Sequence, residues 1–535
     1  MANTTKTDKY IQRILLFTIV VLINIVSIYV YQKYDLTKNK SYTLSKETID
    51  LIRQPTEQLH IKLFFSSNLP AELLTIKNYT KDLLNEYQSY SKGKISFEFV
   101  NANNEKNFKQ QASDSQIPSV TIQVMEKDKT EYREIFMGMF LTYKGGYDRV
   151  PIISSTNGLE YLISTAIKNL LIPEEKKIAY FSPLEEKFEN DELEEDDGRL
   201  PIDPKLEVMV KMLSKNYLVD RTDLHFPLPD ETDLLIISGI TDSLNIVQLY
   251  LLDQFIMRGK PVLWFQDRYI ADSNAEYAEI IDSNVIRYLF EQSLYIKPNL
   301  ILDAFCDQLS KYRQQGEYLV PVSFDYPFYP VLVNFNKTHP ITRNLDNMLS
   351  LFASEIFYTK NKELLFTPLL MSSNNSSEKM GKDIEMSYLQ FQDISLPAVF
   401  NQPPKAIAGL YEGKLQSYFY DKEMRHDKYI NNTNHAKILL VASNSLCDNN
   451  ILANVPGNAE FVLNAVDYLT GNESLIGMRA KTLAYSPFVK TTERMRLWVK
   501  ILNFVLPVLM ILAFFIVHIF RRLIQKAKIK RDYNE

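Results

Sequence analysis

The sequence predicts a mixed α/β protein whose folded region lies between two transmembrane helices. Residues 501–520 contain no Asp, Glu, Lys or Arg, and a helix of that length spans the hydrocarbon core of a bilayer. A second apolar run occupies residues 14–31. Between the two runs, short apolar segments alternate with amphipathic ones, as in a sheet covered by helices. We therefore expect an α/β fold class flanked by transmembrane helices at 14–31 and 497–520.

The charges beside these runs predict the orientation of the chain. Positive flanks mark the cytoplasmic side, and basic residues follow the second run at Arg521, Arg522, Lys526, Lys528, Lys530 and Arg531. Residues 1–13 and 521–535 are therefore expected in the cytoplasm, and the region between the spans on the extracytoplasmic (periplasmic) side of the inner membrane. A cleaved signal peptide is the alternative for the first run, although Tyr31–Asp35 lacks the small residues that cleavage needs.

Composition limits the classes of function. The chain has 535 residues and a net charge of −5, and no basic stripe lies outside the membrane flanks, which argues against nucleic acid as a partner. Its content of 46% hydrophobic and 12% aromatic residues is sufficient for folded cores. The two cysteines, Cys306 and Cys447, match no metal-binding spacing, and the sequence leaves open whether they pair. Six scattered histidines form no metal cluster.

Residues 32–172 are expected to form a first extracytoplasmic domain. The predicted elements are helices at 46–53, 71–89 and 159–171 and strands at 59–65, 94–100, 119–125 and 134–143, with Ser45 as the cap of the first helix. This order is that of a thioredoxin-like layer, and Pro118 occupies the place of the proline that such a fold carries before a strand. The loop Ser66–Pro70, where a redox pair would lie, has no cysteine, so disulfide exchange is excluded.

Residues 173–490 are expected to form a second α/β domain after a linker at 173–177. The predicted strands are 177–181, 217–220, 233–238, 261–265 and 436–442, and the predicted helices are 205–215, 244–258 and 459–469. Such a pattern favours a parallel sheet covered on both faces. The segment at about 284–434 is irregular and rich in Tyr, Phe and Pro, and we interpret it as a long insertion into this domain or packed on it.

Motifs of common enzymes are missing from the sequence. It contains no G-x-x-x-x-G-K-[ST], G-x-G-x-x-G or G-x-S-x-G, which excludes a P-loop, a dinucleotide fingerprint and a nucleophile elbow. Ser238-Gly239 comes nearest to an elbow, and a strand-end turn is the simpler interpretation. We predict no catalytic, cofactor-binding or metal-ligating residue and no cofactor.

Two further segments have a structural and a functional interpretation. Residues 185–197 hold nine carboxylates, without the spacing of a calcium loop, and such a run normally forms a solvated loop. An aromatic cluster, Tyr326, Phe328, Tyr329 and Phe335, could form a contact surface, but core packing is the more frequent outcome.

Several short motifs, in order along the chain, resemble the GldG family. They are Tyr34–Thr37, Tyr42–Ser45, His339–Thr342, Val441–Asn444, Asn458–Phe461 and Asn464–Gly471. The resemblance implies an auxiliary membrane subunit of an ABC transporter linked to gliding motility, with an ATPase and a multi-span permease (GldA- and GldF-like) as partners. It also implies a flavodoxin- or amidotransferase-like sheet in the second domain, but without the amidotransferase cysteine.

The expected function is therefore non-enzymatic. The extracytoplasmic domains would bind exported cargo or proteins of the motility machine, and the spans would contact the permease, through Asn24 and Asn503. The alternative is a membrane-anchored extracytoplasmic protein that binds a small ligand such as a sugar or peptide, in a cleft with convergent polar groups.

Overall fold

The computed structural model describes Leu15, Thr18, Ile19 and residues 43–532, except for 127–128, 173–174, 184–199, 273, 276, 316–317, 359–361, 392–394, 423–428 and 480–492. The chain divides into two units, Met1–Leu483 and Ala484–Glu535. The acidic run at 185–197, the motif Tyr34–Thr37 and Asn24 lie outside the described residues.

The described helices alternate with strands along the first unit. They are α1 Lys46–Ile52, α2 Ala71–Tyr90, α3 Glu105–Asp114, α4 Leu159–Leu171, α5 Glu207–Leu213, α6 Ile246–Met257, α7 Asn284–Glu291, α8 Leu396–Val399, α9 Asn449–Asn454, α10 Pro456–Leu469 and α11 Glu473–Arg479. Short 3-10 turns occupy Tyr388–Phe391 and Asn444–Cys447. Ser45 caps α1 as predicted, because its side chain accepts a hydrogen bond of 3.1 Å from the Thr48 backbone N–H.

The strands of the described residues form seven sheets. They are β1 Leu59–Phe65, β2 Ile95–Phe99, β3 Val120–Glu126, β4 Lys129–Ile135, β5 Met137–Tyr143, β6 Gly146–Val150, β7 Lys177–Phe181, β8 Leu218–Arg221, β9 Thr232–Ser238, β10 Val262–Phe265, β11 Tyr269–Ile270, β12 Tyr277–Ile280, β13 Tyr295–Ile296, β14 Asn299–Asp303, β15 Cys306–Gln315, β16 Tyr318–Leu332, β17 Asn334–Phe335, β18 Met348–Leu349, β19 Ile356–Phe357, β20 Leu364–Met371, β21 Ser376–Met380, β22 Asp383–Glu385, β23 Ala406–Gln416 and β24 Asn432–Val441.

We call residues 43–172 the first layer and residues 175–472 the second layer. The first layer is built on a four-stranded sheet of order β2-β1-β5-β6. Strand β1 runs parallel to β2 and antiparallel to β5, with Ile61 opposite both Phe97 and Leu141. Leu59, Ile61 and Leu63 are buried, as the strand alternation requires. Helices α1, α2 and α4 contribute the other apolar side chains of this core.

The structure corrects two details of the first layer. The strand predicted over 134–143 is divided at Phe136, because residues up to Ile135 pair with β3 and residues from Met137 pair with β1. Pro118 precedes β3, which lies in a separate two-stranded sheet. In the main sheet of this layer, the strand that pairs antiparallel with β1 is β5, and the residue before β5 is Phe136. Pro118 therefore does not occupy the position that we predicted for it.

The second layer is an eight-stranded sheet of order β17-β20-β23-β24-β10-β9-β7-β8. Strands β8, β7, β9, β10 and β24 are parallel, and β23, β20 and β17 extend the sheet in antiparallel fashion. The segment 284–434, interpreted as an insertion, thus supplies three strands of the main sheet. Alternate residues of β10 face opposite cores: Leu263 and Phe265 pack with α5 and α10, and Trp264 packs with α6 and α7.

The aromatic cluster is part of a core. Tyr326 and Phe328 are fully buried, and their rings pack against Phe391 with centroids 6.4 and 5.7 Å away. Tyr329 packs edge-on against Tyr326 at 4.8 Å. The core-packing interpretation is therefore confirmed for these residues.

The expectation of flanking transmembrane helices is wrong. Among the residues that the structure describes, no helix is both long enough and apolar enough to cross a membrane. The predicted first span falls almost wholly outside those residues, and the predicted second span, 497–520, lies within α12, Glu493–Asp532, which makes up the described part of the second unit. The prediction relied on a run without charged side chains, but such a run can carry other polar ones, here Asn503 and His518.

Candidate functional site

The carboxyl ends of parallel strands are where sheets of this kind bind ligands. At this edge β9 ends in Ser238, β10 is followed by Gln266 and Asp267, and β24 is followed by Asn444 and Cys447. The structure therefore brings together side chains that are separated by about two hundred residues in sequence. Among them, Ser238 was noted from the sequence as the nearest approach to an elbow, Cys447 as a thiol, and Asn444 as the end of the motif Val441–Asn444.

Hydrogen bonds join these side chains into one network. The Ser238 hydroxyl donates to Asn444 Oδ1 at 2.7 Å and lies 3.4 Å from Cys447 Sγ. The Asn444 backbone N–H donates to Asp267 Oδ1 at 2.7 Å. Gly239 follows at φ 71°, and a Cβ there would lie 3.4 Å from the Asn444 amide. Ser238-Gly239 is thus a strand-end turn held by Asn444, as the simpler interpretation predicted.

The network is not arranged for nucleophilic catalysis. Burial raises the pKa of the Cys447 thiol to about 12, and the hydrogen bond with Ser238 offsets only part of this effect. Burial also raises the pKa of Asp267 to about 6. A nucleophilic cysteine requires its thiolate, and Cys447 is instead held as a neutral thiol. Ser238, Asn444 and Asp267 are instead held together by hydrogen bonds that stabilise this edge of the sheet.

A polar cavity of about 550 Å³ lies at the carboxyl end of β1 in the first layer. Its walls come from the loop residues Ser66, Ser67 and Asn68, from α3 and from β4. Phe108 and Phe136 form its floor, with ring centroids 5.5 Å apart in an edge-on arrangement. A volume of this size is in the range of pockets that bind ligands.

The rim of this cavity is charged. Lys109 pairs with Glu105 at 2.8 Å and Arg133 pairs with Glu131 at 2.6 Å. The hydrogen bond and charge of Arg133 lower the pKa of the Glu131 carboxyl. Since the loop presents two serines and an asparagine, the cavity offers hydrogen-bond donors and acceptors rather than redox groups.

A third polar cluster connects the two layers through α11. Arg479 donates to Asn464 Oδ1 and Asp467 Oδ2, both at 2.6 Å, and to the Tyr161 hydroxyl at 3.0 Å. Asn464 and Asp467 belong to α10 of the second layer, whereas Tyr161 belongs to α4 of the first. The Tyr217 hydroxyl donates to Asp467 at 2.5 Å from the other side.

The apolar side of α11 completes the core of the first layer. Leu475 and Met478 are buried in the same cluster as Leu84 and Ile163. Gly477 allows this approach, because a Cβ there would overlap the Glu47 side chain of α1. A helix that follows the second layer along the chain is therefore an integral part of the first.

The remaining candidates do not form a site. Cys306 and Cys447 are both free thiols. Within the described residues, no group of three His, Cys, Asp or Glu side chains could hold a metal ion. His339 packs against Tyr468 at 4.8 Å, and burial lowers the pKa of its imidazole.

Comparison with known proteins gives the family. Residues 175–465, more than half of the chain, match the model described as an ABC-type uncharacterized transport system. The chain belongs to this family. This family comprises auxiliary components of ABC transport systems. Residues 38–142 match a second model, described as a domain of unknown function.

The chain also has a relative of similar length. The chain is 21% identical to an uncharacterized protein of Borreliella burgdorferi over 472 residues, which are 84% of this chain and 84% of that protein.

Solved structures match only weakly. The N-terminal domain of mmIFT52 matches with a TM-score of 0.30 at 11% identity, over 50% of this chain and 90% of that one. A ThuA-like protein from Parabacteroides merdae matches with a TM-score of 0.26 at 11% identity, over 56% and 91%. Scores of this size support no conclusion about the fold.

Proposed function

We propose that the protein is a non-enzymatic auxiliary subunit of an ABC transporter of the GldG type, which serves gliding motility. Its partners would be an ATPase and a multi-span permease resembling GldA and GldF. The first unit would lie on the extracytoplasmic side of the inner membrane and bind exported cargo or proteins of the motility machine.

The observation that carries this proposal is the position of α11. Its apolar residues belong to the core of the first layer, and Arg479 at its end is bound to both layers. A displacement of α11 would therefore disturb both layers at once. A subunit that transmits ATP-driven movements of its partners to cargo-binding domains requires such a connection.

The chemistry of the described clusters also supports a non-enzymatic role. The most conspicuous thiol, Cys447, is neutral and buried, and the polar groups around it bond to one another. Groups arranged in this way stabilise a fold rather than react.

Affinity purification of the tagged full-length chain from its native cells in mild detergent tests the proposal. We expect an ATPase and a permease to be recovered in stoichiometric amounts, as identified by mass spectrometry. Protease treatment of spheroplasts should degrade the first unit. Recovery of the chain alone, or protection of the first unit in intact spheroplasts, would contradict the proposal. Normal spreading of a deletion strain on agar would contradict the link to motility.

A second candidate function is a capture protein for a small ligand, which the cavity beside Ser66–Asn68 favours. A ligand that binds only the folded state raises the melting temperature, and the rise continues with the logarithm of the ligand concentration above the Kd. A thermal shift of this form with a sugar or free amino acid would support this function.

A further inference from the structure

Among the described strands, none lies beside β4 on the side opposite to β3. Strand β4 leads directly into β5, with only Phe136 between them. On one side, β1 pairs with β5 from Thr142 to Met137. One more hydrogen bond continues this ladder, since the Ser66 N–H donates to the Phe136 carbonyl at 3.1 Å. The chain then turns away through Ser67 and Asn68 to begin α2.

The cavity lies where β1 would have continued. It is lined on one side by Ser67 and Asn68 and on the other by Arg133, Glu134 and Ile135 of β4. Successive residues of a strand point to opposite faces, so a cavity lined by three consecutive residues borders the edge of β4. Within the described residues, β4 pairs with β3 alone.

We propose that this cavity binds an extended segment of another polypeptide, which joins β4 as an additional strand. An unpaired strand edge is a template for the backbone of another chain, and peptides bind many proteins by such strand addition. The inference rests on the proposed function, because the segment would come from the exported cargo.

The charges of the cavity predict the composition of the segment. Three carboxylates, Glu105, Glu131 and Glu134, face two cations, Lys109 and Arg133. The surplus of negative charge favours a neutral or basic segment. Alternate side chains of the segment would face the apolar floor, and the others would face the charged rim.

The floor argues against a sugar as the occupant. Sugars in protein sites commonly lie against the open face of an aromatic ring. Phe108 and Phe136 are only 3% and 8% exposed, and they pack edge-on against each other. They offer little open ring surface for stacking, whereas an extended peptide would bind through backbone hydrogen bonds to the strand edge of β4.

Hydrogen–deuterium exchange of the full-length chain tests the inference with a defined probe. The probe is a labelled heptapeptide of alternating Val and Thr with a Lys at each end. The control peptide carries Pro at alternate positions and so lacks the N–H groups that a ladder requires. We expect the first peptide to protect the amides of 129–135 and to bind saturably, and the control peptide to do neither.

Two matched variants locate the site. Ser67→Trp fills the cavity and should weaken peptide binding at least tenfold, whereas Ser89→Trp, on the exposed end of α2, should leave it unchanged. Equal binding of both peptides, equal binding by both variants, or no protection of 129–135 at saturating peptide would overturn the inference. So would protection of these amides by monosaccharides or free amino acids in place of the peptide. Recovery of ATPase and permease with Ser67→Trp separates these outcomes from a failure of the proposed function.

Discussion

Arg479 Nη2 lies 2.6 Å from Asp467 Oδ2, and the two side chains are only 4% and 0% exposed. Burial raises the pKa of Asp467, while the charge of Arg479 acts to lower it. The pair holds α11 against α10 and, through Tyr161, against the first layer. Burying such an ion pair carries a large desolvation penalty. Removing one partner is strongly destabilising, because it leaves the other charge buried and unpaired.

Arg479→Met should therefore destabilise the protein strongly. It leaves the Asp467 carboxylate buried without its cation, and the loss of one partner of a buried pair costs about 3–5 kcal/mol. Urea unfolding should show a correspondingly lower midpoint. Arg343→Met, at an exposed position, should change stability by no more than about 0.5 kcal/mol. The double variant Arg479→Met/Asp467→Leu should recover part of the loss, and a double variant less stable than Arg479→Met would contradict this account.

Glu460 should make stability depend on pH. Its side chain is 2% exposed, and burial raises its pKa to about 7, although Arg479 acts to lower it. Between the ordinary pKa of a glutamate and about 7, the Glu460 carboxyl is therefore protonated in the folded state and ionised in the unfolded state. The contribution of Glu460 to stability is complete at pH values below that ordinary pKa and is lost as the pH rises to about 7.

Glu460→Gln should remove this dependence. Above neutral pH the variant should be more stable than the native protein by about 3 kcal/mol at most, and the difference should shrink with falling pH and vanish only below the ordinary pKa of a glutamate. Urea unfolding at a series of pH values measures it. Exposed Glu231→Gln serves as the control and should give a flat difference. If Glu460→Gln changes the urea midpoint by the same amount at every pH, titration of Glu460 is excluded as the cause.

The local elements of the fold could be predicted because each is encoded over a few residues. The strand at 59–65 and the helix at 159–171 are observed with the predicted bounds, since their apolar periods change sharply at both ends. The hairpin β15–β16 was missed, although Gly316 between two strand-like runs is a hairpin signal. The strong aromatic content of the segment concealed it.

The candidate sites could not be predicted because they depend on distant pairs. Nothing near Ser238 in sequence specifies Asn444, which the sheet order places beside it. Similarly, Leu475 and Met478 predict a buried helix face but not which core receives it. Among the described strands, the edge of β4 that faces away from β3 is unpaired. This could be recognised only once β3 and β1 were known to pair with different parts of one strand-like run.

The cysteines should be unreactive in the folded protein. Burial raises the pKa of both thiols to about 12, and the thiolate is the reactive form. Iodoacetamide at mildly alkaline pH should label Cys447 only after unfolding in guanidinium chloride. A reducing agent should leave the melting temperature unchanged, because the two thiols are free. An intact mass lower by two hydrogens than the reduced chain would show that they pair.

The start of α10 should tolerate no side chain at Gly457. A Cβ there would overlap the backbone carbonyl of Asn347, in the segment that leads into β18. The neighbouring Asn458 holds that strand with two hydrogen bonds, of 2.9 and 2.8 Å, to the N–H and carbonyl of Leu349. Backbone cannot yield as a flexible side chain does, so Gly457→Ala must separate α10 from β18.

The expected cost of Gly457→Ala is about 1–3 kcal/mol, as for other overpacked cores. Gly146→Ala is the matched control, because its Cβ would meet Tyr143 O at an ordinary 3.4 Å; it should shift the urea midpoint by no more than about 0.5 kcal/mol. Equal midpoints for the two variants would mean that α10 and β18 are not in contact as described. Helix α10 also carries Asp467, so a displacement of α10 should weaken the hydrogen bond between Arg479 and Asp467. Gly457→Ala should therefore also increase hydrogen exchange in α11.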